Sequence, residues 1–263
     1  MIFFKSKTAP LLRMSLLTSL ALGVLSPHAQ AQSFCASDGH PTPVQLMERF
    51  INADCETCWS DPATPVLGAR SVALDWVVPG TRGDDAALSA VATQDALTRL
   101  DALKKSIPAK ATVAARKVKG MPGAVLRVAH GVPTLGYLGA SIEVKPIAPS
   151  AKQPLSAWLA LVETLPAGTE GTPVERNLVR NLILHNWDGR KQLSKDEQNR
   201  LFEARSMGIA PAANPERLRV MGWIEDKKGQ VLAAAESRCV VPHDDKVDAE
   251  TMPSSKLLVR PKS

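Results

Sequence analysis

Aromatic residues are scarce in this chain: five Trp, five Phe and one Tyr among 263 residues. Long apolar runs are missing as well. Ser15–Leu25 (SLLTSLALGVL) is an 11-residue apolar stretch, whereas a membrane-spanning helix needs roughly 20 residues, and no later segment is long or apolar enough to span. There is no H-E-x-x-H, no G-x-S-x-G and no phosphate-binding glycine loop, so hydrolase and nucleotide chemistry lack a motif. What is present is a globular composition, 44% hydrophobic and 22% charged, which excludes disordered, collagen-like and coiled-coil proteins. Twenty Pro and sixteen Gly among short apolar runs exclude a single all-helical bundle.

The first thirty-one residues have the layout of an export signal. Met1 to Arg13 is basic, the apolar run follows, and Ala29-Gln30-Ala31 supplies a small-x-small cleavage pattern. Cleavage after Ala31 is expected, leaving Gln32–Ser263 as an exported chain, periplasmic if the source is a Gram-negative bacterium. Removing Lys5, Lys7 and Arg13 lowers the formal charge from +6 to +3. That residue of charge is too weak and too scattered to argue for nucleic acid.

Four cysteines remain: Cys35, Cys55, Cys58 and Cys239. An even count in an oxidising compartment predicts two disulfides. Cys55-Glu56-Thr57-Cys58 closes in one tight turn, and elimination then pairs Cys35 with Cys239. Chain entropy separates the two. A loop of 239 minus 35, or 204 residues, stabilises by ~5 kcal/mol, and a four-residue loop by ~2 kcal/mol. Cys35–Cys239 therefore reads as a structural staple, and Cys55–Cys58 as the candidate for reversible chemistry. A four-thiolate zinc site lacks a second C-x-x-C and a histidine at ligand spacing.

The surroundings of the C-x-x-C set its expected reactivity. Met47–Ala53 and Ser71–Val78 read as strands, so strand, C-x-x-C turn, helix and strand form the opening of a thioredoxin-like fold. There Cys55 attacks as a thiolate at a helix N-terminus and Cys58 resolves the mixed disulfide. Asp54 and Glu56 disfavour that thiolate. Asp61-Pro62 offers an alternative helix start, which would leave the C-x-x-C in a loop. Asp75, near the end of the second strand, is a candidate proton relay or a capping carboxylate.

Met47 to Cys58, MERFINADCETC, resembles the VELFTSQGCSSC opening of a bacterial family of secreted thioredoxin-like proteins catalogued as a domain of unknown function. Glu48, Phe50, Cys55 and Cys58 fall on matching positions. Asp75-Trp76 resembles the family's aspartate–aromatic pair, Asn177-Leu178-Val179-Arg180 its N-V-V-R segment with Gly168 and Glu170 upstream, and Trp187-Asp188-Gly189 its W-D-G turn. The resemblance implies a thioredoxin-like half followed by a β-rich half, and no characterised reaction. Trp59 and Ser60 stand where the family usually has two prolines.

A thioredoxin-like fold also sets a cis-proline opposite the C-x-x-C. The family's Y-T-P-Q stretch is absent. Pro133, in Gly131-Val132-Pro133-Thr134-Leu135, and Pro108, in Ser106-Ile107-Pro108, are the candidates; Pro133 lies 133 minus 58, or 75 residues, past Cys58.

Asp84–Lys105 reads as a helix, acidic at its start and basic at its end. Strand-like runs follow at 124–129, 136–144, 157–163, 177–184, 217–225 and 231–236, with a hairpin turn at Asp226–Gly229. Ser194 and Glu197 form a capping box for a helix carrying Leu201, Phe202 and Met207. His40, His130, His185 and His243 read as surface or capping residues.

The sequence thus predicts an α/β protein: a signal peptide over 1–31, a thioredoxin-like domain over 32–110, a β-sandwich over 111–241 and a polar tail over 242–263. Its expected chemistry is thiol–disulfide exchange through Cys55 and Cys58, with Asp75 and Pro133 in support, on exported protein thiols or disulfides. No cofactor, metal, nucleic acid or membrane span is implied. The alternative is a non-catalytic envelope binding protein whose C-x-x-C disulfide is structural.

Overall fold

The computed structural model describes residues 35–65, 68–145, 154–187 and 200–239. The expected signal peptide, the capping box at Ser194 and Glu197, the Asp188-Gly189 turn, His243 and the 242–263 tail lie outside them.

Apolar residues at alternate positions decide most of the strands. SVALDWVV builds β3 (Ser71–Val78) beside the parallel β2 (Gln45–Asn52), because every second side chain on each strand reaches one apolar layer. The seven-stranded sheet runs β11-β10-β7-β8-β3-β2-β4, with β4 at Ala111–Lys117, β7 at Leu155–Leu165, β8 at Arg176–Trp187, β10 at Leu218–Asp226 and β11 at Val231–Glu236. A five-stranded sheet runs β12-β1-β5-β6-β9, with β1 at Cys35–Ala36, β5 at Val125–His130, β6 at Tyr137–Lys145, β9 at Leu201–Gly208 and β12 at Arg238–Cys239. The sheets meet through Val128, Leu138, Ile142 and Val144 on one side and Leu159, Leu161, Val220 and Ile224 on the other. Gly222 admits the contact: a Cβ there would lie 2.5 Å from Val128 Cγ1 and 2.9 Å from Ile142 Cδ1.

The opposite face of the large sheet carries α2 (Gln94–Ala102), which buries Ala96 and Leu100 against Leu46, Phe50, Trp76, Trp158 and Trp223. Arg99 of α2 enters that layer over the stacked rings of Trp158 and Trp223, at 4.5 and 5.0 Å. It meets Glu48 at 2.6 Å and Glu225 at 2.6 Å, and Arg116 closes the square on the same two carboxylates. Two acids and two bases leave no net charge, which makes burial of four ions tolerable.

These findings overturn the thioredoxin-like α/β expectation. Among the described residues there are twelve strands and only two α-helices, α1 (Glu56–Trp59) and α2, of four and nine residues. The strands before and after residue 110 pair in one sheet: β4 with β2, and β8 with β3. Part of the large sheet's second face is covered by the five-stranded sheet, where a thioredoxin-like fold needs helices.

The expected long helix at 84–105 shrinks to α2 for a tertiary reason. The Leu88 amide donates to the Ala53 carbonyl and the Thr93 amide to the Val77 carbonyl, so two 3-10 turns at Gly83–Asp85 and Ser89–Val91 replace the first half. Thr93 then caps α2 through its hydroxyl, which accepts from the Ala96 amide. The helix expected to carry Leu201, Phe202 and Met207 is instead β9, paired along its length with β6. The hairpin at Asp226–Gly229 forms as expected: the Gly229 amide donates to the Asp226 carbonyl at φ +73° for the glycine, a conformation that suits Gly. No helix among the described residues is long and apolar enough to cross a membrane.

Candidate functional site

β2 delivers the C-x-x-C. Asn52, its last residue, shapes the turn with both ends of its side chain: Oδ1 accepts from the Asp54 amide at 2.9 Å and Nδ2 donates to the Pro108 carbonyl at 2.9 Å. Its own carbonyl accepts from the Cys55 amide at 2.9 Å. α1 then begins at Glu56 with Cys55 in the cap position, and no helix starts at Asp61-Pro62, where Asp61 Oδ1 instead accepts from the Ala63 amide.

Cys55 and Cys58 are disulfide-bonded, with Cα atoms 5.3 Å apart. Cys58 is the more exposed of the two: Cys55 is 9% exposed and Cys58 half-buried, between exposed Thr57 and buried Trp59. The Thr57 hydroxyl lies 3.6 Å from Cys55 Sγ.

The acid beside Cys55 is diverted. Asp54 accepts from the Thr81 amide and hydroxyl and from the Arg82 amide, at 2.8, 2.9 and 3.2 Å. Desolvation raises its pKa, but these bonds and the Arg82 charge outweigh it and hold the carboxyl below its ordinary value. Gly80 lies so close to Asp54 that any Cβ would collide with the carboxylate.

Asp75 is fully buried. It accepts from Arg49 at 2.6 Å, from the Asn177 amide at 2.7 Å and from Arg176 at 3.3 Å. Arg176 carries the connection onward. Its Nη2 donates to the carbonyls of Cys58 and Trp59 at 3.3 and 2.7 Å and to Thr64 Oγ1 at 3.0 Å, and its guanidinium stacks 5.2 Å from the Trp59 ring. Trp59 Nε1 donates to the Glu170 carbonyl at 2.8 Å. The Gly168–Gly171 turn thus packs on the C-x-x-C helix. Asp75 is thus linked through Arg176 to the backbone of the turn.

Pro133 sits in the β5–β6 connection of the five-stranded sheet, away from the strand that delivers the cysteines. Pro108 is joined to the C-x-x-C turn through its carbonyl, which accepts from Asn52 Nδ2.

Cys35 and Cys239 also form a disulfide, between directly opposed residues of β1 and β12. Next to it stands His130, a residue the sequence offered no reason to select. It is 4% exposed, its Nδ1 lies 2.8 Å from Ser237 Oγ, and its Nε2 lies 4.0 Å from Cys239 Sγ. Burial pushes its pKa down to about 4. His185, by contrast, pairs with Glu203 at 3.2 Å, and His40 is exposed.

Sequence reasoning also missed Arg49, Arg176 and Asn52. A signal for the first existed: Arg49 stands beside Phe50 and Ile51 in β2, directly opposite Asp75 in register, and a buried charge needs a partner.

No protein-family model matches the chain, and no curated protein matches it. Among solved structures it is similar to HBP35 of Porphyromonas gingivalis, at a TM-score of 0.46 and 11% identity, over 84% of this chain and 81% of that one. A likeness at that level carries no functional argument.

Proposed function

We propose that this is an exported protein that performs thiol–disulfide exchange through Cys55 and Cys58. One observation carries the reading: the turn that holds the pair is fixed by bonds that do not involve sulfur. The Asn52 carbonyl holds the Cys55 amide, Arg176 holds the carbonyls of Cys58 and Trp59, and the Glu170 carbonyl holds the Trp59 indole. The S–S bond can therefore open and close without rebuilding its surroundings, and a four-residue loop contributes only ~2 kcal/mol when closed.

The exposure order sets the sequence of events. A substrate thiolate attacks Cys58 Sγ, the S–S bond breaks, and Cys55 leaves as a thiolate beside the Thr57 hydroxyl. A second thiolate of the substrate then attacks its own sulfur in the mixed disulfide and releases Cys58. The substrate dithiol becomes a disulfide, and the Cys55–Cys58 pair takes up two electrons. The partners are exported protein thiols, and the basic leader over 1–31 supports a periplasmic or secreted location, as does disulfide pairing.

The low exposure of Cys55 favours a second reading, in which the bond is structural and the protein is a non-catalytic envelope binding protein. Trapping separates the two. Cys55→Ala leaves Cys58 free, and it accumulates mixed disulfides with exported proteins, well above the level seen with Cys58→Ala. If neither variant forms them, exchange fails and the structural reading stands.

A further inference from the structure

Cys239, Cys35 and His130 occupy one row across three adjacent strands. Cys35 of β1 pairs with Cys239 of β12 on one side and with His130 of β5 on the other. Directly paired residues project from the same face of a sheet, so the register alone brings two sulfurs and an imidazole together. Their ligand atoms lie within 4.8 Å of one another. We propose that this row is a redox-gated metal site: when the Cys35–Cys239 disulfide is reduced, the two thiolates and His130 Nε2 bind one divalent cation of the zinc class.

The chemistry of the donors selects the ion. Two sulfurs and one imidazole nitrogen suit zinc and its soft-tolerant neighbours, whereas calcium and magnesium require oxygen. Three protein ligands leave a fourth position for water or a further ligand. Cys239 is exposed while Cys35 and His130 are buried, so that position and the route of entry face solvent on the Cys239 side.

His130 is already oriented for the task. Ser237 Oγ, 2.8 Å from Nδ1, is itself fixed by the Val220 amide at 2.9 Å and faces the Val220 carbonyl at 3.1 Å. When the serine hydroxyl donates to that carbonyl, it accepts from Nδ1–H and leaves the Nε2 lone pair directed at the sulfurs. Outer-shell hydrogen bonds of this type set the tautomer and ring angle of metal-binding histidines.

The balance closes with a dithiol as reductant. It gives two electrons and two protons to the Cys35–Cys239 bond and becomes a disulfide. The cation then displaces both thiol protons, and the loaded site is neutral. The disulfide form has no free thiolate and binds nothing, so loading reports the thiol state of the chain. This site is independent of Cys55 and Cys58.

Cobalt(II) is the probe. The full exported chain carrying Cys55→Ser and Cys58→Ser, which removes the other thiols, is titrated with cobalt in oxidised and dithiol-reduced forms, with near-ultraviolet circular dichroism recorded alongside. The reduced chain keeps its native spectrum, binds one cobalt with a thiolate charge-transfer band, and yields it to zinc; the oxidised chain shows no band. His130→Gln raises the cobalt dissociation constant at least about tenfold, and Ser237→Ala raises it about tenfold. The proposal is overturned if the reduced chain loses its native spectrum, if it stays folded without the band, or if His130→Gln binds cobalt as well as the unsubstituted histidine does. Loss of exchange at Cys55 and Cys58 would leave all these outcomes unchanged.

Discussion

Arg176 holds the backbone of Cys58 and the carboxylate of Asp75 with one guanidinium, at 3.3 Å in each case. A residue 118 positions from Cys58 thereby supports the C-x-x-C turn, and the buried acid is linked to the turn through it.

Arg176→Met tests that support. Breaking a buried ion pair costs about 3–5 kcal/mol, and Asp75 keeps Arg49 and the Asn177 amide, so a loss near the lower figure is expected in urea unfolding. Residues 56–65 should at the same time become the preferred site of proteolytic cleavage.

The Glu48–Arg99–Glu225–Arg116 square makes stability depend on pH. Desolvation pushes the Glu225 carboxyl up, but hydrogen bonds and charge from Arg99 and Arg116 outweigh it and hold it below its ordinary value of 4.5. A carboxyl depressed in the native state contributes fully above its unfolded value, and that contribution is lost as pH falls through the native one. Glu225→Gln should cost about 3–5 kcal/mol at neutral pH. The gap between it and the native protein should narrow as pH drops below 4.5, read from urea midpoints at successive pH values.

Gly222→Ala should destabilise by about 1–3 kcal/mol, because its methyl meets Val128 and Ile142 of the facing sheet. Pairing it with Ile142→Val should recover part of the loss, measured as a double-mutant cycle in thermal unfolding.

The two disulfides should separate in stability. Replacing Cys35 and Cys239 with serine should cost about 2–5 kcal/mol, and replacing Cys55 and Cys58 no more than ~2 kcal/mol. Urea unfolding of the two double variants compares them directly.

Strands were the legible part of this fold. SVALDWVV and VLAAAE span β3 and β11, since alternation and β-branched residues speak for themselves. β4 (ATVAARK) escaped notice because an edge strand shows little apolar pattern. β9 (LFEARSMG) read as helix because its composition suits one; only pairing with β6 decides it. The cysteine pairing followed from the C-x-x-C spacing and elimination. The Arg176 clamp did not, since it joins residues 176 minus 58, or 118 positions, apart. Nor did His130, whose place beside Cys35 and Cys239 is created by strand register and leaves no spacing motif.

The reduction potential of the Cys55–Cys58 pair is the most direct measure of the exchange account. The full chain is equilibrated in glutathione buffers, and the two thiols are quantified by alkylation and peptide mass. The account predicts a potential above about −300 mV, with circular dichroism unchanged between the two forms because the turn is held without the bond. A potential below about −300 mV, or a turn that comes apart on reduction, would contradict it.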